Sequence, residues 1–203
     1  FQNEIDAARR DAEAFKKMTN SIPLMKDVVK LQKSEADGEI SFSDFTRKLC
    51  HIDLGRSDNV RSGQRFEVWR THGRERDKFI GIVEIIRTLS NSYSLCTVLS
   101  LTDDNDPVRQ SDTIVSRLYH KGIFLKIALH GDFKAPSEAY SKARLTELLR
   151  LQGCEVVDKV QIGVDLTIVG SNLLGDEWYR AARKSLRFET MKEDDVRLYI
   201  DPR

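Results

Sequence analysis

The chain has 203 residues, of which 40% are hydrophobic, so it can form real cores but leaves little room for a large enzyme. Its 33 Lys and Arg residues nearly balance its 32 Asp and Glu residues, and a net charge of +1 provides no long-range attraction to nucleic acid or to an anionic membrane. No segment approaches the roughly 20 consecutive apolar residues of a membrane span. We therefore expect a soluble, globular chain.

The first 36 residues have the composition of a helix. They contain no glycine and are rich in Ala, Lys, Glu, Asp and Arg. Apolar residues recur at spacings of four and three, the heptad pattern of a coiled coil, at Phe1, Ile5, Ala8, Ala12 and Phe15. We expect this segment to be a stalk that makes the chain a homo-oligomer, and a lone amphipathic helix is the alternative. Pro23 predicts either a kink or the start of a second helix.

Residues 37–120 have the texture of an all-β segment, in which short alternating runs are separated by turn residues. The predicted strands are Ile40–Phe45, Lys48–Leu54, Arg65–Arg70, Phe79–Leu89, Tyr93–Leu101 and Asp112–Arg117. Six short strands in about eighty residues indicate a compact barrel or sandwich.

Residues 121–203 alternate between strand and helix patterns, which predicts a parallel sheet covered on both faces. The predicted strands are Ile123–Leu129, Glu155–Val157, Leu166–Val169 and Phe188–Thr190. The predicted helices are Ser137–Gln152, which Gly153 ends, Gly175–Ser185 and Glu193–Ile200.

Five motifs of this last segment carry a family resemblance. They are the strand FLKIALHGDF, the helix KARLTELLRLQGCEVV, the strand VDLTIVG, the helix GDEWYRAARKSLRF and the closing EDDVRLYI. With them, residues 122 to 201 resemble a BRCT domain of the type found in bacterial ligases and clamp loaders. The resemblance implies a small α/β domain that binds a partner.

The phosphopeptide pocket of BRCT domains needs a Ser or Thr before the glycine that ends the first strand, and a Lys after the third strand. Here His130 precedes Gly131, and Ser171 and Asn172 follow the third strand, so phosphopeptide binding is disfavoured. Lys184 could approach from the second helix. The candidate partner-binding residues are therefore His130, Gly131, Ser171, Asn172 and Lys184.

The β segment also carries a resemblance, in the strings HIDLGRSDNVRSGQRFEVWR, FIGIVEII, SYSLCTVLS and VRQSDTIVSRLY. It is similar to the small β-barrels of bacterial envelope proteins such as the cell-shape protein MreC and a flagellar assembly protein. Such motifs describe a barrel and imply no reaction.

Residue patterns that carry chemistry are missing from the sequence. It has no Gly-rich phosphate loop, nucleophile elbow or paired metal motif. The run Asp103–Asp106 could hold calcium, but a solvated hairpin turn is the better interpretation because the glycine and distal glutamate of a calcium loop are missing. Cys50, Cys96 and Cys154 are widely spaced and are expected to be packed free thiols. We therefore predict no catalytic residue, no cofactor and no metal site.

These observations lead to a multi-domain fold class: a helical coiled-coil stalk (1–36), a small β-barrel (37–120) and a BRCT-like α/β domain with a parallel sheet (121–203). The function predicted from them is that of a non-enzymatic bacterial scaffold or adaptor that binds a protein and associates with itself. The alternative is a DNA-associated factor whose BRCT-like domain binds DNA ends or repair proteins. Because the chain starts with Phe1, we expect it to be a piece of a longer protein. For its location, we favour the bacterial cell envelope over the cytoplasm.

Overall fold

A computed structural model describes residues 36–70, 78–133, 141–161, 163–170 and 189–200 of the chain. This part contains ten strands and two α-helices. The strands are β1 Gly38–Asp44, β2 Leu49–Ile52, β3 Arg65–Arg70, β4 Lys78–Thr88, β5 Ser94–Leu101, β6 Thr113–Val115, β7 Lys126–His130, β8 Glu155–Val157, β9 Leu166–Val169 and β10 Glu189–Lys192. The helices are α1 Lys142–Leu151 and α2 Glu193–Ile200, and a short 3-10 turn spans Arg56–Asp58.

The chain forms two compact units. One contains the strands from β1 to β6, within Ala36–Leu125, together with Leu149–Cys154 and the residues from Val196 onward. The other contains the sheet formed by β7 to β10. We call them the barrel unit and the parallel-sheet unit.

Strands β1 to β6 close into an antiparallel barrel in the order β1-β2-β5-β4-β3-β6, and β1 pairs with β6 to complete the ring. The six predicted strands and the barrel are confirmed. β2 begins at Leu49, one residue later than predicted, because Lys48 adopts a positive φ of 52° in the preceding turn, and it ends at Ile52, two residues earlier than predicted. Closure leaves no strand of the barrel with an open edge.

Alternating side chains of these strands fill the barrel interior. Apolar residues that are at most 1% exposed line it from all six strands: Ile40, Cys50, Ile52, Phe66, Val68, Ile80, Val83, Ile85, Cys96 and Ile114. Alternation with a period of two places every second residue of a strand inside, which is why the sequence pattern located these strands.

The second unit contains a four-stranded sheet in the order β10-β9-β7-β8, with every neighbouring pair parallel. The predicted parallel sheet is therefore present. Strand β7 starts at Lys126, three residues later than predicted, because Ile123 instead forms an isolated bridge with His120. The central strands are the most buried, as expected for a sheet of this kind: Ile127, Ala128, Leu166 and Ile168 are at most 3% exposed.

The predicted fold class is wrong as a whole. The described residues are mostly strand, and their two helices are short, at 10 and 8 residues. No coiled coil is supported: the heptad pattern covers only two repeats, fewer than the three or four that the assignment needs. Its residues Phe1, Ile5, Ala8, Ala12 and Phe15 lie outside the described residues, as does the predicted helix Gly175–Ser185. The predicted boundaries at residues 36 and 120 stay predictions.

Neither α1 nor α2 is long and apolar enough to cross a membrane, and the described residues contain no other α-helix.

Candidate binding surfaces

Strands β7 and β9 bring two chain segments together at one edge of the parallel sheet. The two strands are parallel, His130 pairs with Val169, and the Gly170 N–H donates to the His130 carbonyl over 2.9 Å. Because parallel strands end at the same edge, the residues that follow them are neighbours. Gly131 therefore lies beside Gly170 at this edge, which we call the sheet edge.

Backbone conformation shapes the sheet edge. Gly131 has a φ of +95°, which a residue with a side chain adopts only at a cost, so the chain can turn sharply directly after β7. A Cβ atom at Gly170 would lie 2.5 Å from the Asp132 carbonyl oxygen, so glycine is required for the two segments to touch. The result is a close, fixed contact between the two strand ends.

The strand order makes this edge a point of divergence. The chain leaves β7 toward α1 and β8 on one side of the sheet, whereas β9 leads toward β10 on the other side. In open α/β sheets, ligands bind outside the carboxyl ends of the strands where the connections diverge in this way. The topology thus favours the sheet edge over other parts of this unit as a place of binding.

Two of the five sequence-predicted partner-binding residues lie at the sheet edge. His130 is the last residue of β7 and half-buried, and Gly131 follows it. Ser171, Asn172 and Lys184 lie outside the described residues. The binding role assigned to all five stays a prediction.

The outer wall of the barrel carries an apolar surface. Phe42 on β1 is paired with His51 on β2, with ring centroids 5.6 Å apart, and His51 is paired with Leu95 on β5. Leu95 is paired in turn with Arg87, next to the register shift that leaves Ile86 exposed on β4. This row of side chains crosses four adjacent strands.

Tyr93 extends the same surface. It directly precedes β5, two residues before Leu95, and its side chain is exposed. We define the aromatic face as Phe42, His51, Ile86, Tyr93 and Leu95. Phe42 is 53% exposed, Tyr93 48% and Ile86 42%.

Large apolar side chains are unusual on the solvent side of an antiparallel strand, where polar residues are expected. Single exposed apolar residues are ordinary, but a contiguous group on adjacent strands is typical of a surface that binds a protein. The aromatic face is such a group, since strand pairing joins Phe42, His51 and Leu95, and Ile86 and Tyr93 are sequence neighbours of residues in the same ladder. Its chemistry suits recognition of another apolar surface.

The arginines of β3 argue against a nucleic-acid surface on the barrel. Arg65 Nε lies 2.8 Å from Glu84 Oε2, and Arg70 makes two hydrogen bonds with the Asp112 carboxylate. Each guanidinium is therefore neutralised by a neighbouring carboxylate. A phosphate backbone would have to compete with these ion pairs.

The acidic run after β5 is used by the barrel itself. Asp106 accepts a hydrogen bond from Lys78 Nζ over 2.7 Å, contacts Arg70 and lies 3.0 Å from Arg109 Nη2. Hydrogen bonds from Lys78 and Arg70 lower the pKa of Asp106 to about 2. Among the described residues, no group of three or more His, Cys, Asp or Glu side chains is arranged to hold a metal ion.

Asp37 is a buried carboxyl where the barrel closes. Its Oδ2 accepts a hydrogen bond from the Ser116 N–H over 2.7 Å, and its Oδ1 lies 3.7 Å from His120 Nδ1. The side chain is only 6% exposed. Burial raises the pKa of this carboxyl to about 7, and the Ser116 hydrogen bond opposes the rise.

We expect Asp37→Asn to stabilise the barrel in a pH-dependent way. The Asp37 pKa is about 7 in the folded chain, against an ordinary value of 3.8 for an aspartate, so the folded state holds its proton more tightly. The wild-type chain then loses stability as the pH rises from about 4 to about 7, by at most about 1.4 kcal/mol per pH unit. Asparagine carries no proton to lose and still accepts from Ser116.

The measurement is the free energy of unfolding in urea at pH 4 to 8 for wild type and variant. The advantage of Asp37→Asn should grow through this window and level off above about pH 7. Asp104→Asn, which removes an exposed carboxyl, is the matched control. A difference between wild type and Asp37→Asn that stays constant from pH 4 to 8 contradicts the expectation.

Sequence reasoning missed the aromatic face. The signal was present only in part, since His51 lies between the buried Cys50 and Ile52, whereas Phe42 lies two residues after the buried Ile40 and simple alternation places it inside. A β-bulge between Ile40 and Phe42 turns the Phe42 side chain outward. What was missing was the pairing between strands, because a shift of one residue turns every side chain to the other face.

No protein-family model matches the chain, and no curated protein sequence is significantly similar to it.

Proposed function

We propose that this chain is a non-enzymatic adaptor whose barrel binds a protein partner through the aromatic face. The observation that carries the proposal is the group of partly exposed side chains on the outer wall, which runs from Phe42 on β1 to Ile86 on β4 and includes Tyr93 directly before β5. A bacterial scaffold function is expected from the sequence, and the aromatic face supports this proposal.

The barrel restricts how a partner could bind. Every strand is paired on both sides, so a peptide cannot extend the barrel by adding a strand. Binding therefore relies on side chains. Fully burying a Phe side chain contributes about 1.5–3 kcal/mol, so the exposed half of Phe42 contributes about 1 kcal/mol.

The aromatic face alone is smaller than a stable interface, which buries at least about 1,000 Å². It suits the centre of such an interface, because aromatic residues dominate binding energy there and a polar rim surrounds them. Exposed polar residues flank the face, among them Arg87 and the tip residues Ser90 and Asn91. We therefore assign it a partner with a complementary apolar patch.

The resemblances support an adaptor. The BRCT domains that residues 122 to 201 resemble bind partners, and the likeness of the barrel to MreC-type barrels implies no reaction. The sheet edge, with His130 and Gly131, would be a second binding surface on the same chain. An adaptor needs at least two such surfaces.

The test is site-specific photo-crosslinking in cells of the source organism, with a photoreactive phenylalanine analogue at position 42. Phe124 is the matched control, since it is 58% exposed and lies outside the aromatic face. We expect a defined crosslinked protein at position 42 that is absent at position 124 and is lost when Tyr93→Ser is added. The same products at both positions, or none at position 42, contradict the proposal.

The DNA-associated alternative is tested on the same preparation. A fluorescently labelled duplex at low ionic strength should show no shift, because the chain is nearly neutral and its β3 arginines are paired. A shift that weakens with added salt favours the DNA alternative over the adaptor.

A further inference from the structure

Two cysteines stand directly opposite each other inside the barrel. Cys50 on β2 and Cys96 on β5 are register partners in an antiparallel pair. Both are 0% exposed, and both are free thiols. The two thiols are also joined by a side-chain hydrogen bond.

Strand geometry places their backbones within reach of a disulfide. The Val98 N–H donates to the Lys48 carbonyl over 2.9 Å, so Lys48 and Val98 are a hydrogen-bonded pair. Hydrogen-bonded and non-hydrogen-bonded pairs alternate along an antiparallel ladder. Cys50 and Cys96 lie two residues further along and are therefore also a hydrogen-bonded pair. Opposite residues in such positions have Cα atoms about 5.5 Å apart, well inside the 4.4–6.8 Å range of disulfides.

The distance between the Cβ atoms of Cys50 and Cys96 is less favourable for a disulfide. Opposite Cβ atoms in a sheet lie about 4.5–5.5 Å apart, with hydrogen-bonded pairs at the longer end, whereas a disulfide needs about 3.5–4.5 Å. The strands must therefore approach each other slightly when the bond forms. A disulfide under such strain is more easily reduced than a structural one.

We infer that Cys50 and Cys96 are a reversible redox pair that closes to an intramolecular disulfide in the presence of a small disulfide oxidant such as oxidised glutathione. One thiolate attacks the oxidant and releases one glutathione, and the second thiolate then displaces the other glutathione. Two protein S–H bonds and one S–S bond of the oxidant are exchanged for one protein S–S bond and two glutathione thiols.

Burial makes this reaction slow. Neither sulfur is accessible in the closed barrel, so β2 and β5 must separate transiently before the oxidant can reach a thiol. The Cys50 hydrogen bond and burial also raise the Cys96 pKa, which lowers the thiolate fraction. Cys154 is a natural comparison, because it is also buried, with a pKa raised to about 12, and no cysteine opposes it on a paired strand.

The experiment incubates the wild-type chain under native conditions with oxidised glutathione, after which excess oxidant is removed. The chain is then unfolded in urea with the alkylating agent, so that buried free thiols can react, digested with trypsin without reduction and analysed by mass spectrometry. Cys50, Cys96 and Cys154 fall on the separate peptides 49–56, 88–109 and 151–159. We expect peptides 49–56 and 88–109 to be linked, and their alkylation to fall roughly tenfold, while peptide 151–159 remains alkylated. Dithiothreitol should restore both thiols.

Any of three results overturns the inference. In the first, Cys50 and Cys96 stay fully alkylated although a urea-unfolded sample is oxidised. In the second, the disulfide involves Cys154, and in the third, it joins two chains. Cys96→Ala provides a further check, since it should leave Cys50 either free or joined to glutathione. Because the readout counts thiols, its result is independent of whether the aromatic face binds a partner.

Discussion

Replacing Arg70 with alanine is expected to lower the free energy of unfolding of the barrel by about 3 kcal/mol. Arg70 connects the end of β3 to the loop between β5 and β6. Its Nε and Nη2 atoms donate to the two carboxylate oxygens of Asp112 over 2.6 and 2.7 Å. Nη2 also donates to the Pro107 carbonyl over 2.8 Å, and Nη1 contacts Asp106.

The size of the effect follows from what the substitution leaves behind. The Asp112 side chain is only 3% exposed, and Arg70 is 13% exposed. Without the guanidinium, Asp112 keeps a hydrogen bond from the Arg109 N–H but loses its charged partner in a site that water scarcely reaches. An unpaired buried carboxylate is costly, so the loss exceeds the net worth of the original pair.

Arg47→Ala is the matched control. Arg47 also belongs to the barrel unit and lies 3.8 Å from a carboxylate, that of Asp44, but its side chain is 78% exposed. Its loss should cost less than about 1 kcal/mol. Equilibrium urea unfolding of both variants, with a double-mutant cycle that adds Asp112→Ala, measures the difference. Equal effects of Arg70→Ala and Arg47→Ala, or no coupling between Arg70 and Asp112, contradict the expectation.

The barrel could be predicted from the sequence because its strands alternate over much of their length, with interruptions at β-bulges. In β3, Phe66 and Val68 point inward while Arg65 and Glu67 point outward, a pattern that one strand shows by itself. Each predicted strand matches an observed one, with differences of at most two residues at its ends. Turn chemistry accounts for one of these differences, because the positive φ of Lys48 delays the start of β2 by one residue.

Contacts between distant residues could not be predicted. Cys50 and Cys96 are 46 positions apart, and only the pairing of β2 with β5 makes them neighbours. The same holds for Arg70 and Asp112, which are 42 positions apart, at the end of one predicted strand and the start of another. A strand pattern determines which face a side chain takes but carries no information about its partner on the next strand.

The sheet edge and the aromatic face differ in how far the sequence could predict them. The sheet edge was partly foreseen, because Gly131 ends a recognisable strand and the residue before it could be compared with a known pocket. The aromatic face depends on register across four strands and could not be assembled from the sequence alone. The coiled-coil prediction failed for a different reason, since a pattern of two heptads is too short to distinguish a stalk from a short amphipathic stretch.

Phe66→Ala is expected to destabilise the barrel by about 3–5 kcal/mol. The Phe66 side chain is fully buried on β3, beside its register partner Val83 on β4. Its ring packs edge to face on Tyr119, with centroids 5.3 Å apart. Alanine removes this aromatic contact and leaves a cavity that a closed barrel cannot collapse around without breaking strand pairing.

A chain of two units need not unfold in one step. Hydrogen exchange, measured by mass spectrometry on peptides from β3 and β4, therefore reports the stability of the barrel separately from that of the parallel-sheet unit. Protection in these peptides should fall by at least about a hundredfold in Phe66→Ala. Phe66→Leu keeps most of the volume and should cost about half as much or less. Phe45→Ala, at a position that is 56% exposed, is the control and should leave protection almost unchanged. Similar protection in Phe66→Ala and Phe45→Ala would mean that Phe66 is not a centre of the barrel core.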